Sequence, residues 1–316
     1  MRFLKGHGTE NDFILLPDFA KLDPHAEPPT LSAEQVRRLC DRHAGIGGDG
    51  VLRVLPVGAA TEAEGLATGE ARWFMDHRNA DGSVSEMCGN GARLFARYLL
   101  DVGLESAGAF DLATRGGIRR VTVADSGEVC VDMGPARTGV GSVAKVDGRA
   151  FPGRQVSMTN PHLVCLTDVA IDTLDLSFPP TVDDALFPDG VNVEFVNIVS
   201  QLGGAEHQGK NGTNLTLQGA PESVSGGEIV RVRMRVHERG VGETRSCGTG
   251  ACAVAAQALL GLGRTSGKVV VDVPGGRVTV SVTPETTVLG GPAVFVASGQ
   301  VGPDWWSAGA GHDQAT

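Results

Sequence analysis

The sequence predicts an α/β protein made of two copies of one folding unit, and three observations carry that expectation. Short Val- and Ile-rich runs alternate with turns throughout a chain of 316 residues that contains 45 glycines, the pattern of strands joined by tight turns. Two helical stretches open on nearly the same phrase: Cys88 begins "CGNGARLFARYLLDVGL" and Cys247 begins "CGTGACAVAAQALLGLG". Each of these is followed by a hairpin centred on glycine. A recurring order of strand, Cys-Gly-X-Gly-Ala, helix and hairpin marks an internal duplication.

The elements follow in order. "RFLKGHGTENDFILL" reads as strand, turn, strand, and "SAEQVRRLCDRH" as a helix with Ser32 as its N-cap. "GVLRVLP" and "ARWFMDH" are strands. "GARLFARYLLDVG" is a helix that ends near Gly103, and "GIRRVTVADSGEVCVDMG" is a hairpin that turns near Ser126-Gly127. After Met133, "GPARTGVGSVAKVDG" reads as a looser join, which divides the chain into halves at 1–133 and 134–290. In the second half "HLVCLTD", "NVEFVNIV" and "IVRVRMRVHERG" are strands, "GACAVAAQALLGLG" is the helix and "KVVVDVPGGRVTVSV" the hairpin. "GPAVFVASGQV", near 291–303, reads as a strand that returns to the first half. "NDF" at Asn11 is matched with "NVEF" at Asn192 as a further pair of repeats. The polar stretch "GGAEHQGKNGTNLTLQGAPESVSGGE" is an insertion between strands, and the glycosylation sequons at Asn211 and Asn214 within it are accidental in a cytosolic chain. The tail after Gly302 reads as frayed, with Trp305 and Trp306 able to pack back.

Composition removes several function classes. A chain that is 41% hydrophobic and 20% charged can bury a sizeable core. Its formal net charge of -10, without any basic run, argues against nucleic acid as a partner. "MRFLKGHGTENDF" lacks the apolar core of a signal peptide, and no apolar stretch approaches the roughly 18 residues of a membrane span, so the expected location is the cytoplasm. Six cysteines without any CxxC give no zinc-type ligand spacing, and no metal is expected. "GIGGDG", Gly45 to Gly50, spells GxGxxG. A dinucleotide loop follows a strand and opens a helix, whereas here the helix comes first and the strand after, so no nucleotide cofactor is expected.

Cys88 and Cys247 are the candidate catalytic residues. Each precedes a Gly-X-Gly-Ala turn that starts a helix, where backbone N–H groups lack intrahelical partners and the dipole is positive. Such a place attracts a carboxylate and lowers a thiol pKa. Two thiols in equivalent places suit inversion of a stereocentre: one thiolate removes a proton from one face of a carbon and the opposite thiol returns one to the other face, without a cofactor. Cys40, Cys130, Cys165 and Cys252 sit in apolar helix or strand patterns and read as inert core.

With these residues in view, the chain resembles the diaminopimelate epimerase family over about residues 1–300. The resemblance rests on "GTENDF", "RNADGS", "EMCGNGAR", "NPH" at Asn160 to His162, "VNVEF", "HERGVGET" and "SCGTGA", seven motifs in order. It implies an α/β (α+β) fold of two pseudo-symmetric domains, each a β-sheet wrapped around a central helix, with the active site in the cleft between them. It implies interconversion of LL- and meso-2,6-diaminopimelate, and a homodimer. It makes Cys88 and Cys247 the acid/base pair, assisted by His162 and Glu238. Backbone N–H groups of Gly89, Asn90, Gly248 and Thr249 would bind the reacting carboxylate. Asn11, Asn79, Asn160 and Asn192 would bind substrate, Arg239 a carboxylate and Glu238 an ammonium group. Gly50 departs from the pattern, since many members carry Gln there. Two related enzymes are the alternatives, a proline or hydroxyproline racemase-type enzyme and a phenazine-pathway-like isomerase lacking the cysteine pair. A non-catalytic amino-acid binding protein is the alternative from another class.

Overall fold

The computed structural model describes residues 1–17, 31–124, 127–202 and 229–307. The Gly-rich insertion with its two sequons, and Ser126 of the expected turn, lie outside the described residues. The chain divides into two compact units, Met1–Val131 with Ala293–Thr316, and Asp132–Pro292.

The first unit opens on a hairpin of β1 (Arg2–Gly8) and β2 (Asn11–Leu16). Its two-residue turn puts Thr9 and Glu10 at φ 50° and 61°, the left-handed pair that matches strand twist. Helix α1 (Ala33–Cys40) starts at a complete capping box, with Ser32 and Gln35 each bonding the other's backbone N–H, and buries Val36, Leu39 and Cys40. β3 (Gly50–Pro56) lies parallel to β2, and β4 (Trp73–Asn79) antiparallel to β3. Helix α2 (Gly89–Asp101) then packs on β1 to β4 and buries Leu94, Phe95 and Leu99 completely. β5 (Gly108–Thr114) runs parallel to β4, and β6 (Gly117–Val123) and β7 (Val129–Gly134) follow as antiparallel neighbours.

The second unit begins where a loose join was expected. The segment is instead a hairpin of β8 (Arg137–Val146) and β9 (Arg149–Ser157), closed by Asp147 and Gly148 at φ 50° and 75°. "DG" between strands is a strong hairpin signal, but most of β8 is solvent-facing, so the apolar alternation that would have exposed it is missing. β10 (Pro161–Leu166) pairs antiparallel with β9. β11 (Asn192–Leu202) runs parallel to β10, β12 (Ile229–Glu238) antiparallel to β11, and β13 (Gly242–Thr244) folds back on β12. Helix α3 (Gly248–Gly261) packs on β9 to β12 and on β14 (Gly267–Val273), β15 (Gly276–Val282) and β16 (Thr287–Gly291). β17 (Val294–Gln300) pairs with β1, and the short α4 (Pro303–Ser307) lays Trp305 and Trp306 on the Ile14, Leu16, Val36 and Leu39 cluster. Arg38 stands 4.3 Å over the Trp305 ring and donates to its carbonyl at 2.9 Å, so the chain is packed through Trp306.

One series of pairings builds both units. A hairpin (β1–β2 or β9–β10) gains a parallel strand (β3 or β11), then an antiparallel one (β4 or β12), then the helix, then a parallel strand (β5 or β14) and its antiparallel return (β6 or β15). Register fixes the equivalent residues. Phe13 faces Gly50 across the parallel pair, as His162 faces Asn192. Leu15 faces Leu52, as Val164 faces Glu194. The match of "NDF" with "NVEF" therefore does not hold. Asn160, two residues before His162, is the counterpart of Asn11, and Asn192 is the counterpart of Gly50. Among the described residues no helix is long and apolar enough to cross a membrane.

Candidate active site

In the first unit the thiol of Cys88 takes the place of an ordinary N-cap. The residue is extended (φ -137°, ψ 118°), and Sγ accepts the Gly91 N–H at 3.5 Å. Sγ in turn approaches Asn11 Oδ1 at 3.7 Å, and the Asn90 amide donates to the same oxygen at 3.1 Å. Asn11 donates to Asp49 at 2.9 Å. Behind it Arg42 bridges Asp12 at 2.9 Å and Asp49 at 2.8 Å, and Lys5 meets Asp12 at 2.5 Å. Burial pushes the Asp12 carboxyl up, but the bonds to Arg42 and Lys5 outweigh it and hold the group well below the usual carboxylate range. Arg93 is fully buried beneath this first turn, donating to Asn90 Oδ1 at 2.9 Å and to the Gly89 carbonyl at 3.5 Å.

The structure thus brings Cys88, Asn11 and Asn90 together. Asn79, at the end of β4, donates its amide to Ser83 Oγ at 3.0 Å, across the turn that Gly82 makes at φ 87°. At Gly50 the backbone has closed on the position, since a Cβ there would lie 2.5 Å from the Arg78 carbonyl oxygen.

In the second unit Cys247 caps α3 in the same way (φ -122°, ψ 117°), with Sγ accepting the Gly250 N–H at 3.4 Å and 3.6 Å from Thr249 Oγ1. The helix start was expected to lower this thiol's pKa. Its pKa instead lies well above the ordinary value, because burial, then the Glu238 and Glu194 carboxyls, outweigh the Thr249 and Gly250 bonds. Glu238 bonds Cys247 and accepts from the Thr244 hydroxyl, and burial raises its own pKa. His162 Nδ1 lies 2.6 Å from Glu194 Oε1, and its Nε2 lies 3.0 Å from Asn160 Oδ1. Asn192 Oδ1 accepts the Arg239 backbone N–H at 2.8 Å, while the exposed Arg239 guanidinium donates to the Asp189 carbonyl at 3.2 Å.

Sequence reasoning missed three residues beside the cysteines: Asp49, Arg93 and Glu194. Glu194 is fully buried, and burial raises its pKa against the pull of His162. Its signal was a lone acid in the apolar run "NVEFV", a strand buried on both faces. Cys40, Cys130, Cys165 and Cys252 are buried and form no disulfide. Burial pushes the Cys40 and Cys165 thiols up to about 12.

Known proteins share both the fold and the sequence. Solved structures with the same fold include the Bacillus anthracis phenazine biosynthesis protein of the PhzF family, at a TM-score of 0.60 and 15% identity over 95% of this chain and 98% of that one. A probable proline racemase from Agrobacterium radiobacter gives a TM-score of 0.58 at 16% identity, over 96% of this chain and 93% of that one. Among sequence relatives, the diaminopimelate epimerase of Mycobacteroides abscessus is 46% identical over 97% of this chain and 98% of its own length. That of Mycolicibacterium smegmatis is 46% identical over 98% and 100%. The family model described as diaminopimelate epimerase matches residues 3–139 and 154–296. Matches of this extent, on a chain in which α2 and α3 both open on a capping cysteine, show that it belongs to the diaminopimelate epimerase family.

Proposed function

We propose that this protein interconverts LL-2,6-diaminopimelate and meso-2,6-diaminopimelate by a two-base mechanism in which Cys88 and Cys247 exchange protons with the α-carbon. The observation that carries the reading is the pair of thiols at equivalent helix starts, each accepting the N–H of the second glycine of its motif. In one direction the Cys88 thiolate takes the α-hydrogen as a proton. The electron pair left on carbon spreads into the adjoining carboxylate, and the Cys247 thiol delivers its proton to the opposite face. Burial and two neighbouring carboxyls support Cys247 as the thiol that rests protonated. The two sulfurs end in exchanged protonation states, and the reverse direction uses them in exchanged roles.

The first-turn N–H groups of Gly89, Asn90, Gly248 and Thr249 hold the reacting carboxylate and its developing negative charge. Asn11, Asn79, Asn160 and Asn192 bind the polar ends of the substrate, Arg239 a carboxylate and Glu238 an ammonium group. His162 and Glu238 assist proton movement at Cys247. A homodimer and a cytoplasmic location belong to the same reading. The test is incubation of LL-diaminopimelate with reduced protein in D2O, where deuterium should enter the α-position as the meso isomer forms. An absence of both product and exchange would reject it.

A further inference from the structure

Equivalent positions in the two units are filled by opposite chemistry. Under the second glycine of the α2 motif, a Cβ built on Gly91 would touch Leu52 Cδ2 at 3.2 Å. Under its counterpart Gly250, a Cβ would lie 2.8 Å from Glu194 Oε1. One strand over, the buried Phe13 in the first unit corresponds to the fully buried His162 in the second. The first unit therefore fills both places with apolar groups, and the second with an imidazole and a carboxyl in contact at 2.6 Å. Apolar groups in place of a buried ionisable pair are often neutral or stabilising, and the first unit demonstrates that this scaffold accepts them. Glu194 also leaves Oε2 buried without a hydrogen-bond partner among the described residues, a cost that packing alone does not offset.

Two neutral arrangements of protons fit these contacts. Both ring nitrogens of His162 face oxygens, Glu194 Oε1 at Nδ1 and Asn160 Oδ1 at Nε2. If Nε2–H donates to Asn160, the neutral ring accepts at Nδ1 and Glu194 supplies an O–H. The alternative is an imidazolium beside a carboxylate. Either way the pair holds two protons across its three sites and has no net charge. A proton gained or lost would leave an uncompensated charge in the interior.

We propose that Glu194 is a positioning residue whose carboxyl fixes the orientation and tautomer of His162, and that His162 and the first turn of α3 thereby hold the Cys247 thiol in its reacting position. This rests on the assignment of Cys247 and His162 to the reaction made above. The raised pKa of Glu194 fits its role as the O–H donor.

The test compares Glu194→Leu, the side chain of its counterpart Leu52, and Glu194→Gln with the parent protein, using LL-diaminopimelate across pH. Cys247→Ala is run alongside. The Leu variant should fold, keep KM within about threefold, and lose roughly a hundredfold in kcat, the scale of a misplaced reacting group. The Gln variant still offers an N–H to His162 Nδ1 but holds no exchangeable carboxyl proton. It should recover part of kcat, with its pH profile displaced from the parent's. A folded Leu variant with parental kcat and a superimposable profile would overturn the role, as would a loss confined to KM. If the Leu variant does not fold, the Gln variant decides alone: a displaced profile supports the role, and a parental profile with parental kcat overturns it. Activity surviving in Cys247→Ala would instead reject the underlying site assignment.

Discussion

The sharpest stability prediction concerns two glycines that the sequence presents as equivalent. Gly91 and Gly250 occupy the third position of α2 and α3, and each gives its N–H to the capping sulfur. Alanine favours a helix interior over glycine by up to about 1 kcal/mol, and less at the first turn. At Gly91 the new Cβ would lie 3.2 Å from Leu52 Cδ2, where ordinary contact starts at 3.4 Å. A leucine methyl can yield about 0.2 Å, so Gly91→Ala should fall within about 1 kcal/mol of the parent. At Gly250 the nearest atom is Glu194 Oε1 at 2.8 Å, so about 0.6 Å of movement is required. That oxygen is held by His162 at 2.6 Å in a fully buried pair, and Cys247 Cβ and Sγ each stand 3.3 Å from the same new Cβ.

Overpacking of this kind costs about 1–3 kcal/mol, so the Gly250 variant should be less stable than the Gly91 variant by about 2 kcal/mol. Displacement of the pair or of Cys247 should also lower kcat, by about tenfold or more. Urea unfolding of the two variants gives the difference in midpoint at unchanged slope, and the epimerase assay gives kcat. Equal midpoints with parental activity in both would refute the reasoning.

Three further outcomes follow from particular groups. Burial lowers the His77 pKa from 6.5 to about 4. The folded state thus resists a proton that the unfolded chain accepts, so stability is full above pH 6.5 and declines by roughly 3 kcal/mol as pH falls to about 4. His77→Leu should flatten that part of a denaturation series, and an unchanged slope would contradict it. Burial raises the Glu238 pKa, so its protonated form favours the fold. That contribution is complete below the ordinary value of 4.5 and is lost as pH rises through the raised one. The Tm of Glu238→Gln relative to the parent should accordingly climb with pH, and a constant offset would refute this. Gly50→Gln meets the Arg78 carbonyl at 2.5 Å from its Cβ and should cost about 1–3 kcal/mol, read as a lower urea midpoint.

Much of the architecture was legible because its signals are local. A cysteine before Gly-X-Gly-Ala marks a helix start in both halves, since the glycines let the backbone N–H groups reach the sulfur. Ser32 announced α1 as its N-cap. The β8–β9 hairpin was missed because β8 buries few of its residues, so only Asp147-Gly148 marked the turn. Asn11 was matched to Asn192 on letters, whereas equivalence is set by sheet register, which joins Asn192 to Gly50. The expected lowering of the Cys247 pKa considered only the helix start. Burial and two carboxyls brought near from β11 and β12 reverse it, and neither is visible in the motif itself. Arg93 and Glu194 were not singled out in the sequence. The zero exposure of Arg93 is a property of the fold, whereas that of Glu194 had a signal in its apolar neighbours.

The differences between the two halves are as informative as the duplication. Two thiols in identical surroundings would share one intrinsic pKa, and nothing would decide which of them rests protonated. A proton relay across a stereocentre needs that decision, because one sulfur must begin as base and the other as acid. The motif residues that shape the backbone, the cysteine and the glycines that follow it, are the same in both halves. The layer behind them is not. Beneath the first turn of α2 stands a buried arginine with asparagines, and the strand positions carry Phe13 and Leu52. Beneath the first turn of α3 stand Glu238 and the His162–Glu194 pair. A buried guanidinium behind one helix start, and carboxyls with an imidazole behind the other, give the two thiols different environments behind like backbone geometries. Each one-unit pKa difference so produced is worth 1.36 kcal/mol of preference between protonation states. On this argument the asymmetry resides in buried side chains that need not touch the substrate. Substitutions there should alter which sulfur carries the proton before they alter how tightly the substrate is held.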